Sequence, residues 1–197
     1  MSSIRRRAFR LALPAALAAL LLFPAPLSAQ GQNKVVYDKF DWKIYSSTHF
    51  RIYHYGRGEA SLQKVTSMAE SAYDDLSRRL NYQVPKPIPL LFYVTHAEFE
   101  QNNIIMNFIP EGVGAFAEPA RNRMVLPIDL PDEKLQNLIA HELTHIFQYE
   151  ILFGGRLSRA ITSNIPTWFM EGMASYFADD EDEKDRMFIR DAVNSDQ

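Results

Sequence analysis

Cysteine is absent from all 197 residues. No disulfide can brace the fold, and no lipid-modified cysteine can tether the chain at an export junction. The core must rest on packing, with a bound metal ion as one further staple. A long apolar run is also missing. The most hydrophobic stretch, residues 11–23, has thirteen residues, against the ~20 that a membrane-spanning helix needs. Its setting gives it another meaning. Arg5, Arg6, Arg7 and Arg10 lie around its start with no acid among them, Pro24 and Pro26 break it, and Leu27-Ser28-Ala29 before Gln30 offers a cleavage site. That is the layout of a secretory signal peptide over residues 1–29, with an uncleaved anchor as the alternative. Arg6-Arg7-Ala8-Phe9 also has the form of a twin-arginine export signal.

Positive charge is the third shortage. Removing residues 1–29 takes four of the 21 basic residues and none of the 24 acids, leaving 17 against 24, a net charge of −7. So acidic a chain lacks the electrostatic footprint of a nucleic-acid binder. The remaining length supports one domain with a proper core, and no internal repeat is visible.

What is present reads as strands first and long helices later. Residues 30–40 are polar and read as a lead-in. Residues 48–55 alternate, with Phe50, Ile52 and His54 on one face, as a strand does. Gly56 and Gly58 end it. Residues 59–80 carry Leu62, Val65, Leu76 and Leu80 at helical spacing. Residues 88–94 suit a buried strand. Thr95 with Glu98 has the form of a capping box. Residues 113–118 and 123–126 are extended pieces joined by a turn at 119–122. Asp132 then caps a helix striped by Leu135, Leu138, Ile139, Leu143, Ile146, Phe147 and Ile151, which Gly154-Gly155 closes. Pro166 opens a second helix running through Phe177. Residues 179–185 are an acidic run that reads as a solvated helix end or linker, and residues 179–197 together read as an acidic C-terminal tail. The order predicts an α+β domain.

The chemistry lies in these last two helices. His141-Glu142-Leu143-Thr144-His145 places two histidines one turn apart on one face, so both imidazoles can reach one metal ion. Glu142 is rotated about 100° and flanks them, placed to take a proton from water and return it to a leaving amine. A third ligand is needed. Glu150, nine residues after His141, faces the opposite side of the helix. Asp179 and Asp180 lie two turns beyond Glu171 and cannot share its place. Glu171, 26 residues after His145, sits in Trp168-Phe169-Met170-Glu171-Gly172-Met173-Ala174. A carboxylate in such apolar company calls for a positive partner, which a metal supplies; the plain alternative is a half-exposed glutamate. Gly172 within the helix predicts close packing against the first helix. His49, His54 and His96 read as structural or exposed.

These segments resemble the gluzincins, zinc peptidases with a His, His, Glu ligand set, and more closely the bacterial peptidase MA-like domains. Thr48-His49-Phe50-Arg51-Ile52-Tyr53, residues 114–119, residues 122–127 and residues 168–174 carry the likeness, which covers residues 41–178. The resemblance implies a zincin-like fold with a small mixed sheet, an active-site helix and a glutamate-bearing helix. It implies Zn2+ held by His141, His145 and Glu171, with Glu142 as general base in peptide-bond hydrolysis. It also implies that the edge strand at 114–118 pairs with extended substrate. Where some gluzincins have an aspartate that orients the first histidine, this chain has Ser175, and Tyr149 and Tyr176 are the candidates for steadying the oxyanion. Similar domains are often followed by TolB-like β-propeller repeats, and none is present here. The expected function is therefore an exported, periplasmic or secreted zinc metallopeptidase acting on peptide or protein. The alternative is a catalytically idle zinc-binding module that binds peptides or scaffolds an envelope assembly.

Overall fold

A computed structural model describes residues 38–104, 114–154, 164–178 and 183–195. The expected signal peptide (residues 1–29) and most of the expected lead-in lie outside the described residues. Five strands form one mixed sheet in the order β1-β2-β3-β5-β4: β1 (Lys43–Ser46), β2 (Phe50–His54), β3 (Ile88–Tyr93), β4 (Phe116–Glu118) and β5 (Arg123–Pro127). The outer pairs β1–β2 and β4–β5 are antiparallel, and β2–β3 and β3–β5 are parallel. The α+β reading holds. A parallel pair cannot be joined by a tight turn, and the β2–β3 crossover uses α1 (Leu62–Leu80), which follows a 3-10 turn at Gly56–Ser61. The helix predicted from residue 59 therefore starts three residues later.

Pro89 sits near the start of β3, which has neighbours on both sides. It is tolerated because β3 meets β5 only from Leu90 onward, so the missing N–H removes no bond from that ladder. Gly58 has its own reason: an added Cβ would come within 2.6 Å of the Phe92 ring. Thr95 forms the predicted capping box at the head of α2 (His96–Glu100).

The core lies on one face of the sheet. Phe50, Ile52, Leu90, Phe92, Met124 and Leu126 meet Val65, Ala69 and Leu76 of α1 and Leu135, Ile139 and Leu143 of α3 (Asp132–Phe153). A smaller aromatic cluster of Phe40, Trp42, Tyr55, Tyr93, Phe99 and Phe116 forms a second core. Buried Glu98 organises it, accepting from Tyr55 Oη at 2.8 Å and pairing with Arg57.

Two boundaries differ from expectation. Pro131, not Asp132, is the N-cap of α3. Asp132 is its first helical residue and makes no side-chain cap, though its charge still suits the helix N-terminus. Pro166 stands one residue before α4 (Thr167–Ala178). Gly154 closes α3 with φ 59°, the left-handed value for which glycine is suited. Beyond residue 182, where the sequence reads as an acidic tail, α5 (Glu183–Asn194) forms. Among the described residues no helix is long and apolar enough to cross a membrane.

Candidate metal centre

Helix α3 presents His141 and His145 on one face, and α4 packs against it. This brings Glu171 opposite the two imidazoles. One carboxylate oxygen, Oε2, lies 3.4 Å from His141 Nε2 and 3.5 Å from His145 Nε2. The three candidate ligand atoms lie within 4.8 Å of one another, a group that can hold a metal ion. Bonds of ~2.0–2.1 Å in a tetrahedral site place neighbouring ligand atoms ~3.3–3.4 Å apart. The spacing from Glu171 to each histidine matches that edge closely.

The donor state of His145 follows from a chain of hydrogen bonds. Gln148 Nε2 donates to the Met170 carbonyl at 2.8 Å, and a carbonyl can only accept. That contact fixes the amide orientation and turns Gln148 Oε1 toward His145 Nδ1, also at 2.8 Å. Nδ1 must then carry the hydrogen, which leaves the Nε2 lone pair facing the candidate ion. Gln148 thus sets one ligand's tautomer and ties it to the backbone residue preceding another. Sequence reasoning passed over it, although a residue three after a histidine shares its helix face.

Glu142 lines the same cavity, of about 610 Å³, with Ala117, Leu138, Tyr149 and Met170. It is buried, and burial pushes its carboxyl up to about 8; the Glu171 charge adds to this and the Ala117 backbone hydrogen bond opposes it. Tyr149 is raised to about 12 by burial and by the two carboxylates. Its hydroxyl donates to the Ala117 carbonyl at 3.3 Å. Ala117, in edge strand β4, therefore faces the candidate site with both its amide and its carbonyl.

The other expected features sort clearly. Glu150 turns away and accepts from Asn122 Nδ2 at 2.8 Å. Tyr176 is exposed and lies against the Arg79 guanidinium, so of the two tyrosines Tyr149 alone lines the cavity. The Ser175 side chain makes no hydrogen bond among the described residues, and α4 supports His145 through Gln148 and the Met170 carbonyl. His49 bonds Glu70 at 2.6 Å and stacks on Tyr73, His54 is buried against Phe92, and His96 lies 3.4 Å from Glu100.

Two expectations about the Glu171 segment need correction. Its apolar neighbours do not bury it: the Glu171 side chain is 54% exposed, and Trp168 is 74% exposed. A dry environment therefore does not force a positive partner on this carboxylate; its convergence with two imidazoles is what marks it. Gly172 does not mediate close packing either, since a Cβ there would meet nothing within 4 Å. Ala174, fully buried, is the small residue of α4 that has no exposed surface. No family model, characterised protein or solved structure matches the chain.

Proposed function

We propose that this protein is an exported zinc metallopeptidase of the gluzincin type, with a zincin-like fold of the peptidase MA-like kind. The observation that carries the reading is the convergence of His141, His145 and Glu171 on one point beside a buried Glu142. Two imidazole nitrogens and one carboxylate oxygen, with the oxygen at tetrahedral-edge distance from each nitrogen, are the donor types of an open zinc site. When bound there, zinc supplies Lewis acidity, polarising a carbonyl oxygen and making water acidic near neutral pH.

The chain's own groups support the remaining work. Glu142, buried in the same cavity as the two histidines, is placed to take a proton from attacking water and deliver it to a leaving amine. Its carboxyl is held up to about 8 with no cation beside it, and a bound cation would lower it toward the ionised form that accepts the proton. Strand β4, at the edge of the sheet beside the cavity, is where an extended peptide can lie alongside. Tyr149 brings a hydroxyl that stays protonated at neutral pH to the same cavity. The signal-peptide layout of residues 1–29 supports action outside the cytoplasm.

Zinc content and peptide hydrolysis of the wild type and Glu142→Gln test this reading together. The expected result is one zinc in each, with hydrolysis in the wild type and at least a hundredfold less in the variant. Zinc in both with hydrolysis in neither would instead identify an idle zinc-binding module. No zinc in either would remove the metal reading.

A further inference from the structure

A second cavity, of about 440 Å³, lies away from the candidate metal ligands and is lined by Arg51, Lys86 and Arg121. These three come from distant parts of the chain: Arg51 from β2, Lys86 from the approach to β3, and Arg121 from the turn between β4 and β5. Their convergence sets them apart. From Lys43 to Arg123 the sequence has nine lysines and arginines. Six are held by carboxylates: Lys43 by Glu59, Arg57 by Glu98, Lys64 by Asp132, Arg78 and Arg79 by Asp75, and Arg123 by Glu118. The other three have no ion pair among the described residues; Lys39 and Lys134 share that state singly on the surface, whereas these three meet in one cleft.

Among the described residues of the wall Glu150 is the one carboxylate, with one oxygen held by Asn122. Three cations therefore face one acid, and the cleft keeps an excess of positive charge that an anionic ligand complements. The rest of the lining favours a particular kind of ligand. Pro87, Pro89 and Pro119 give stiff, apolar walls that donate no N–H, and Val84 and Ile88 add aliphatic surface. A small inorganic anion would leave such walls uncovered. Among the described residues no aromatic side chain lines the cleft for base stacking. An extended peptide bearing acidic side chains satisfies both features, with its carboxylates on the cations and its stem against the prolines.

We propose that this cleft binds acidic peptide segments. This cleft and the candidate metal site adjoin along the chain at β4 and at the last turns of α3: Pro119 in this cleft lies two residues beyond Ala117 in the other, and Glu150 follows Tyr149. In a peptidase it would select substrates carrying acidic residues outside the scissile region. The binding itself requires neither metal nor hydrolysis, so it stands or falls apart from the proposed enzymatic function.

The test uses the metal-free protein and a fluorescent, end-blocked peptide alternating alanine and glutamate, read by fluorescence anisotropy. The same peptide with glutamine in place of glutamate serves as reference. The glutamate peptide should bind at least tenfold more tightly, and more weakly as salt rises. The combined Arg51→Gln, Lys86→Gln and Arg121→Gln variant should lose that tenfold preference at an unchanged melting temperature. Lys134→Gln, an exposed cation outside the cleft, should keep it. Equal binding of the two peptides, or retention of the preference in the triple variant, would overturn the proposal. So would tight binding of inorganic phosphate by the wild type with no binding of the peptide.

Discussion

Glu142 shows how one buried group links stability to chemistry. Its carboxyl is raised from 4.5 to about 8, first by burial and then by Glu171. Below pH 4.5 both the folded and unfolded chains hold this proton. Between 4.5 and 8 the unfolded chain has released it and the folded chain has not, so the folded state of the metal-free protein loses stability as pH rises. Glu142→Gln removes that dependence. Chemical denaturation of the metal-free proteins at pH 5 and pH 8 should show the variant gaining on the order of 3 kcal/mol over the wild type between the two values. Parallel profiles would mean that the carboxyl is not held protonated by its site. The motif was plain in the sequence, and so was the place of Glu142 within it. Its proton affinity was not, because that depends on burial among residues from β4, α3 and α4.

At the scale of elements, legibility followed periodicity. Helices α1 and α3 and strands β2 and β3 carry apolar residues at regular spacing, and all four lie close to where the spacing predicts. Strand β1 escaped notice because Lys43–Ser46 is an edge strand with three of its four residues exposed, so it leaves no alternating pattern. Gly172 misled for a related reason. Glycine inside a helix signals close approach only if something approaches, and here nothing does. Gly172→Ala should therefore raise stability by about 0.5–1 kcal/mol through helix propensity, measurable by urea unfolding. A loss would show that this position is confined. Gln148 makes the opposite case, a residue whose position decides its role. It joins α3 to α4 through His145 and the Met170 carbonyl. Gln148→Ala should weaken zinc binding 10–100-fold in competition with a chromophoric chelator, while Gln148→Glu, which can still accept from Nδ1, should recover part of it. Unchanged affinity in the alanine variant would reduce Gln148 to a packing residue.

Over the whole molecule, the separation between fold and site is informative. The sheet, α1 and α3 form a core closed by buried aliphatic and aromatic residues. Glu171, on α4, remains 54% exposed. The scaffold thus supplies two candidate ligands from its interior helix and the third from a helix packed beside it. The pair at His141 and His145 was legible because four residues fix one helical turn. Glu171 was legible only as the carboxylate left after Glu150 was excluded by helix geometry, and the apolar setting that seemed to single it out is open to solvent. The basic cleft was beyond reading from the sequence, since positions 51, 86 and 121 meet only through the sheet topology. The central claim is that Glu171 completes a metal site with the two histidines. Calorimetric titration of the metal-free protein with zinc, comparing wild type and Glu171→Gln, tests it most directly. The wild type should take up one equivalent, and the variant should bind at least a hundredfold more weakly. Equal affinity in the two proteins, or no stoichiometric binding by the wild type, would contradict it.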